Sequence, residues 1–192
     1  MQRVIGGPLE DALQRALALI RRVGVRGAFG GGLAVIIWGQ PRVTQDLDLV
    51  VDVTGSAVDA LLDAARAEGY VLDAEAGASA RELLEGGFLR LLPPDGAAPV
   101  ALDLLLAQSE LEQEALRRAR VFEVSGLQVP VLSPEDLILL KLVAFRPKDT
   151  FDLETVIEAT RDTLDLGYLR GWADRLAMRE RLETFLAASQ AD

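Results

Sequence analysis

An α+β fold is what this sequence predicts: a mixed β-sheet with flanking helices, followed by a C-terminal helical segment. Three observations carry that expectation. Short segments at 26–29, 46–53 and 100–106 have strand length, and the last two are rich in Leu and Val. Between them, apolar residues recur at helical spacing, as in Leu9, Ala12, Leu13, Ala16, Leu19 and Ile20. Beyond residue 133 only helical patterns remain.

In chain order, Pro8 near the start and Gly24 near the end bound a helix over 9–23. Residues 26–29 form a short strand running into Gly30-Gly31-Gly32, and Leu33 to Trp38 form a brief buried helix closed by Gly39. Asp46 to Val53 alternates acid and aliphatic at first, the mark of a strand with one polar and one apolar face. Ser56 caps a helix to about Glu68, and Tyr70 to Asp73 is another strand. A hairpin joins 88–92 to 100–106 through the turn-rich segment 93–99. Ser109 to Arg118 is helical, with short strands at 121–124 and 127–131. Ser133-Pro134-Glu135-Asp136 supplies a cap hydroxyl, a proline at the first helical position and acids at the positive dipole end. That helix is expected to reach about Arg146, where Pro147 interrupts it, and two or three more helices fill 149–188. The expected division is a core over residues 1–132 and a helical segment over 133–192 packed on it.

Composition narrows the chemistry. At 192 residues and 50% apolar content the chain can bury a real core. A net charge of −10 argues against broad binding to nucleic acid or anionic membranes. Glu10, Asp11 and Arg15 in the first twenty residues do not resemble a signal peptide, and the apolar runs are too short to span a bilayer. A cytoplasmic protein is expected. With no His and no Cys, the usual zinc sites and the Ser-His-Asp and Cys-His schemes are excluded. Any catalysis must run on carboxylates, hydroxyls, Lys, Arg and a hard metal.

Three features fit such chemistry. The glycine run, set between a strand and a short helix, leaves backbone donors where an anion can dock. Asp46 and Asp48, two apart on a strand, project from one face together with the more distant Asp52. Such close like charges call for a divalent cation to hold both ionised, although an acidic, solvated strand face would read the same way. Asp103 breaks an otherwise aliphatic strand, where an ionised acid needs a partner. If the 88–106 hairpin lies beside 46–53, Asp103 completes a cluster of three carboxylates with no compensating base nearby in sequence. Lys141, alone in an apolar helix, must find a carboxylate, a phosphate or a path to water, and Asp149 and Asp152 are candidate partners. Lys141 and Lys148 are the only lysines among 20 basic residues. The clusters Arg117-Arg118-Arg120 and Arg175-Arg179-Arg181 read as solvated helix faces, and Trp38 and Trp172 as packing residues.

Together, Gly31-Gly32 with Ala34, Arg42-x-Thr44-x-Asp46-Leu47-Asp48, the later acid Asp103 and Lys141-Leu-Val-Ala-x-Arg146-x-Lys148-Asp149-x-x-Asp152 resemble the nucleotidyltransferase superfamily with the DNA polymerase β-like palm. More closely, they resemble its AbiEii-like group, which includes toxins of type IV toxin–antitoxin systems. The resemblance implies a nucleotidyltransferase palm and a Mg2+-dependent transfer of a nucleoside monophosphate from an NTP such as ATP, with two metal ions. By the resemblance, Gly31 and Gly32 contact phosphate, with Arg42, Thr44 and Lys148 also on the nucleotide. Asp46 and Asp48 bind metal, and Asp103 binds metal or acts as base. Lys141 is an active-site charge oriented by Asp149 and Asp152. The acceptor hydroxyl, on tRNA, a protein or a small molecule, is not specified, and a cognate antitoxin is an expected partner. Many members carry Gly-Ser where this chain has Gly31-Gly32. The rival readings are a D-x-D phosphatase and a catalytically silent partner protein of the same fold. The phosphatase is disfavoured because here the acids open the strand instead of closing it.

Overall fold

The computed structural model describes residues 6–72, 80–94 and 100–189. Among them, one mixed sheet is built from β1 (Arg26–Phe29), β2 (Asp46–Asp52), β3 (Val71–Leu72), β4 (Phe88–Leu92), β5 (Ala101–Leu106), β6 (Arg120–Val124) and β7 (Leu127–Val131). The strand order is β3-β4-β5-β2-β1-β7-β6. β2 runs parallel to β5 and antiparallel to β1; β1 is parallel to β7, and the pairs β3–β4, β4–β5 and β6–β7 are antiparallel. The expected hairpin is therefore present and lies beside the acidic strand. Its turn residues 95–99, like the end of the expected strand at Asp73, fall outside the described residues.

The helices are α1 (Pro8–Val23), α2 (Gly31–Trp38), α3 (Ser56–Ala67), α4 (Ala80–Gly86), α5 (Glu110–Arg118), α6 (Pro134–Ala144), α7 (Asp149–Thr160), α8 (Leu166–Arg175) and α9 (Arg179–Ala188). Local chemistry sets their ends. Pro8 opens α1, and Gly24 closes it in the left-handed conformation at φ 72°. Ser109 and Glu112 form a reciprocal capping box at the start of α5. The Ser133 hydroxyl accepts the Asp136 N–H and starts α6. α6 stops at Ala144, short of the expected Arg146, because Phe145 takes the left-handed conformation (φ 41°) and its N–H bonds to the Lys141 carbonyl. α4 was not anticipated; its apolar run is too short to reveal a period.

Alternation along β2 divides the sheet into two faces. Leu47, Leu49 and Val51 are fully buried on one face, in a core shared with Leu13, Leu19, Leu61, Leu102 and Leu104. Each such leucine contributes about 2 kcal/mol on burial. The other face carries Asp46, Asp48 and Val50, and α5 covers part of it through a small cluster of Ala28, Val50, Ala115, Leu116 and Leu132. Among the described residues no helix is long and apolar enough to cross a membrane.

Candidate active site

The second sheet face organises the site. The register places Asp48 opposite Asp103 across the parallel β2–β5 pair, and Asp103 opposite Arg90 across β4–β5. One row across three strands therefore reads Arg90, Asp103, Asp48, with Asp46 one alternation away on β2. The next row, Phe88, Leu105 and Val50, is apolar. Asp103 is buried, while Asp46 and Asp48 are half-buried.

The glycine turn abuts this row. The Gly30 N–H donates to the Asp48 carbonyl at 2.9 Å. Gly31 has φ +47°, and a Cβ there would lie 1.6 Å from Asp48 Oδ2, so only glycine lets the carboxylate occupy its place. A Cβ on Gly32 would lie 2.3 Å from Thr44 Oγ1. Thr44 Oγ1 in turn donates to the Asp46 backbone carbonyl (3.1 Å) and to Oδ1 (3.2 Å). α2 begins at Gly31 with no side-chain cap, so its first N–H groups are free of side-chain acceptors. Trp38 Nε1 fixes the far end of α2 by donating to the Leu132 carbonyl at 2.7 Å, which bears out its reading as a packing residue.

From the opposite wall, α6 presents Lys141, whose ammonium is buried and donates to Asp149 Oδ1 (3.0 Å) and Asp152 Oδ2 (2.6 Å). Both expected partners are thus real. Arg146 reinforces Asp149 through its N–H and its Nε, each 3.0 Å from Oδ2. Arg42 Nε lies 3.3 Å from Asp152 Oδ1, an ion pair without hydrogen-bond geometry. Burial would push the Asp149 carboxyl up, but Arg146 and Lys141 outweigh it and hold Asp149 below the usual carboxylate range. Asp48 goes the other way. Burial first, then the charges of Asp46 and Asp103, push it above the usual range, with Lys148 and Lys141 offsetting only part.

These groups enclose a cleft of about 350 Å³. Of the sequence-predicted residues, Gly31, Asp46, Asp48, Asp103, Lys141 and Lys148 line it. Gly32, Arg42, Thr44, Asp149 and Asp152 are not among the lining residues; they stand behind it, holding Asp46, the glycine turn or Lys141. Asp52 is not part of the cluster, since it accepts from Arg26 (2.5 Å) and Gln113 (3.2 Å).

The expectation that no base lies near the acids is corrected by Arg90. Its Nε donates to Asp103 Oδ1 and its Nη2 to Oδ2, both at 2.7 Å, and Nη2 also reaches Asp46 Oδ2 at 3.4 Å. The sequence carried a signal for it, since Arg90 interrupts an apolar strand just as Asp103 does. One other reading is corrected, at Arg118, while Arg175 and Arg181 are exposed as expected. Arg118 is not on a solvated face: it pairs with buried Glu135 and Asp136 and stacks 3.8 Å from the Tyr168 ring, whose hydroxyl donates to Asp136 at 2.5 Å. Arg181 donates to the Leu142 carbonyl and lies 4.1 Å from the Phe145 ring, tying α9 to the end of α6.

The sequence model of the family described as "Nucleotidyl transferase AbiEii toxin, Type IV TA system" matches residues 23–191. The chain belongs to this family. No curated protein matches it in sequence. Among solved structures, this AbiEii-family chain is similar to ANT(2")-Ia in complex with adenylyl-2"-tobramycin, at 18% identity and a TM-score of 0.57, over 92% of this chain and 99% of that one. An antigenic nucleotidyltransferase-like protein from Paracoccidioides brasiliensis is similar at 19% identity and a TM-score of 0.56, over 94% and 93%. The lincosamide antibiotic adenylyltransferase LnuA, lincomycin-bound, is similar at 16% identity and a TM-score of 0.54, over 77% and 95%. At these identities the likeness establishes a shared nucleotidyltransferase fold. The family identifies the chain as a nucleotidyltransferase of AbiEii type.

Proposed function

We propose that the chain transfers a nucleoside monophosphate from a Mg2+-bound NTP to an acceptor hydroxyl. The observation that carries this reading is the convergence of Asp46, Asp48 and Asp103 on one cleft edged by Gly31, with Lys141 and Lys148 on the facing wall.

The donor set suits a hard cation. Carboxylate oxygens are the ligands Mg2+ prefers, and Asp48 is short of compensating positive charge. Asp46 and Asp48 would hold the metal. Among the described residues no group of three acids is arranged to hold a metal ion as it stands, and Arg90 engages both Asp103 oxygens. When bound, Mg2+ neutralises the triphosphate and lowers the pKa of the attacking hydroxyl.

The chain's own residues divide the remaining work. The N–H groups at the start of α2 receive the phosphates next to Asp48. Lys148 and Lys141 balance the charge that gathers on the leaving pyrophosphate. Asp103, one strand farther from the glycine turn, would face the acceptor and take its proton once Arg90 lets go of one of its oxygens. The acceptor oxygen then bonds to the α-phosphorus as the bond from that phosphorus to the bridging oxygen breaks, releasing pyrophosphate. Positioning by the rigid sheet supplies much of the rate. The family's toxin description supports a cognate antitoxin as partner.

One observation favours the rival reading of a silent partner protein: the Arg90 clamp on Asp103. Calorimetric titration with Mg2+ and each NTP, on wild type and Asp48→Ala, separates the two. Metal-dependent nucleotide binding that disappears in the variant supports transfer, and absence of binding to both proteins overturns it. Incubation with labelled NTP and cell extract then identifies the molecule that acquires label.

A further inference from the structure

We infer that Arg90 is a built-in cation that competes with a divalent ion for Asp46 and Asp103, so that the resting protein takes one ion and acquires the second only with nucleotide. This rests on the metal-dependent reading above.

The geometry is specific. A bidentate fork on Asp103, with the same Nη2 shared by Asp46, places the guanidinium between the two carboxylates that a second ion would bridge. The placement is fixed by the fold, because the β4–β5 register sets Arg90 directly opposite Asp103. Without the guanidinium, buried Asp103 would be an orphaned charge in a row already holding Asp48. The bond is also releasable. The Arg90 side chain is 38% exposed, against 6% for Asp103, so the arginine can swing towards the open cleft while the aspartate stays. A triphosphate arriving with its own divalent ion replaces one charge on Asp103 by another and offers the freed fork a phosphate edge. Asp46 and Asp48 lack such a clamp: Asp46 has only the longer Nη2 contact, and Asp48 faces Lys148 and Lys141 at a distance.

Mn2+ titration by calorimetry tests this without relying on turnover. The wild type should bind one Mn2+ in the absence of nucleotide and two with a non-hydrolysable NTP analogue. Arg90→Met should bind two without nucleotide, or one at least ten-fold tighter. Arg90→Gln, which keeps hydrogen-bonding capacity but drops the charge, should behave the same way and guards against a folding defect in the methionine variant. Adding Asp103→Asn to Arg90→Met should return the nucleotide-free protein to one ion and leave no second ion to gain with the analogue. Two ions on the nucleotide-free wild type, or folded Arg90 variants that titrate like wild type, overturn the inference. If wild type and variants all fail to bind Mn2+ even with nucleotide, the metal-dependent transferase reading falls too. If the wild type responds to nucleotide but the variants do not differ from it, only the role of Arg90 falls.

Discussion

Replacing Lys141 by Met removes the ammonium that two buried aspartates share while keeping the length of the side chain. The two carboxylates are not left equally exposed to the loss. Asp149 retains three bonds from Arg146, whereas Asp152 keeps only Arg42 at 3.3 Å, outside hydrogen-bond geometry. Removing one partner of a buried pair typically costs 3–5 kcal/mol; with Asp149 still held, about 3 kcal/mol is expected here. For a chain of this size that corresponds to a fall in Tm of roughly 6–12 °C. Urea denaturation followed by fluorescence of Trp38 and Trp172 measures the loss. The double variant Lys141→Met/Asp152→Asn should recover much of it, because the stranded charge goes too. A cost below about 1 kcal/mol, or a double variant no better than the single, would refute the claim that Asp152 depends on this lysine.

Four further outcomes follow from the same geometry. Because Asp149 is held below the usual carboxylate range, chiefly by Arg146, the stability its ion pairs give is complete above its ordinary pKa of 3.8 and is lost as pH falls through the lowered value; the stability gap between wild type and Arg146→Met, measured by urea titration, should be full at pH 6 and close under acid. Gly31→Ala should cost about 1–2 kcal/mol from its backbone conformation alone. It should also weaken Mg2+-NTP binding by about 10²-fold in calorimetry, since the new Cβ evicts the Asp48 carboxylate. Asp48→Asn should raise the Tm of the metal-free protein by roughly 2–4 °C in a thermal scan by relieving first the desolvation of its carboxylate and then its repulsion by Asp46 and Asp103, while Mg2+-dependent nucleotide binding disappears. Tyr168→Phe should cost about 1–2 kcal/mol in urea denaturation, because Asp136 loses one of its donors, and should leave nucleotide affinity unchanged.

The parts of the site that were legible in the sequence are those where one residue contradicts its own neighbourhood. Asp103 in an aliphatic strand and Lys141 in an aliphatic helix each announce a partner, because a lone buried charge is too costly to leave unpaired. The period of two on β2 likewise put Asp46 and Asp48 on one face before any tertiary contact was known. What stayed hidden depends on which elements become neighbours. Arg118 looks like a solvated helix charge because its acceptor Glu135 lies 17 residues away, and the bond of exposed Arg181 to the Leu142 carbonyl spans 39. Asp52 shares the nominal face of Asp46 and Asp48, yet β1 brings Arg26 against it and takes it out of the cluster.

Arg90 shows where the two kinds of information meet. Its strand composition carried the same warning as Asp103, a charge in an apolar run, and the two runs form one hairpin. Pairing the two anomalies with each other would have satisfied both charges and located the base that the acidic cluster lacked. The same pairing explains how the metal-free fold tolerates three converging carboxylates. The guanidinium neutralises the most buried of them, the lysines act on Asp48 from a distance, and the Asp48 carboxyl stays raised by its burial first and by Asp46 and Asp103 second. If the proposed metal-dependent reading holds, an arginine clamping Asp103 beside an unclamped Asp48 would make the site gain divalent ions in sequence and not all at once.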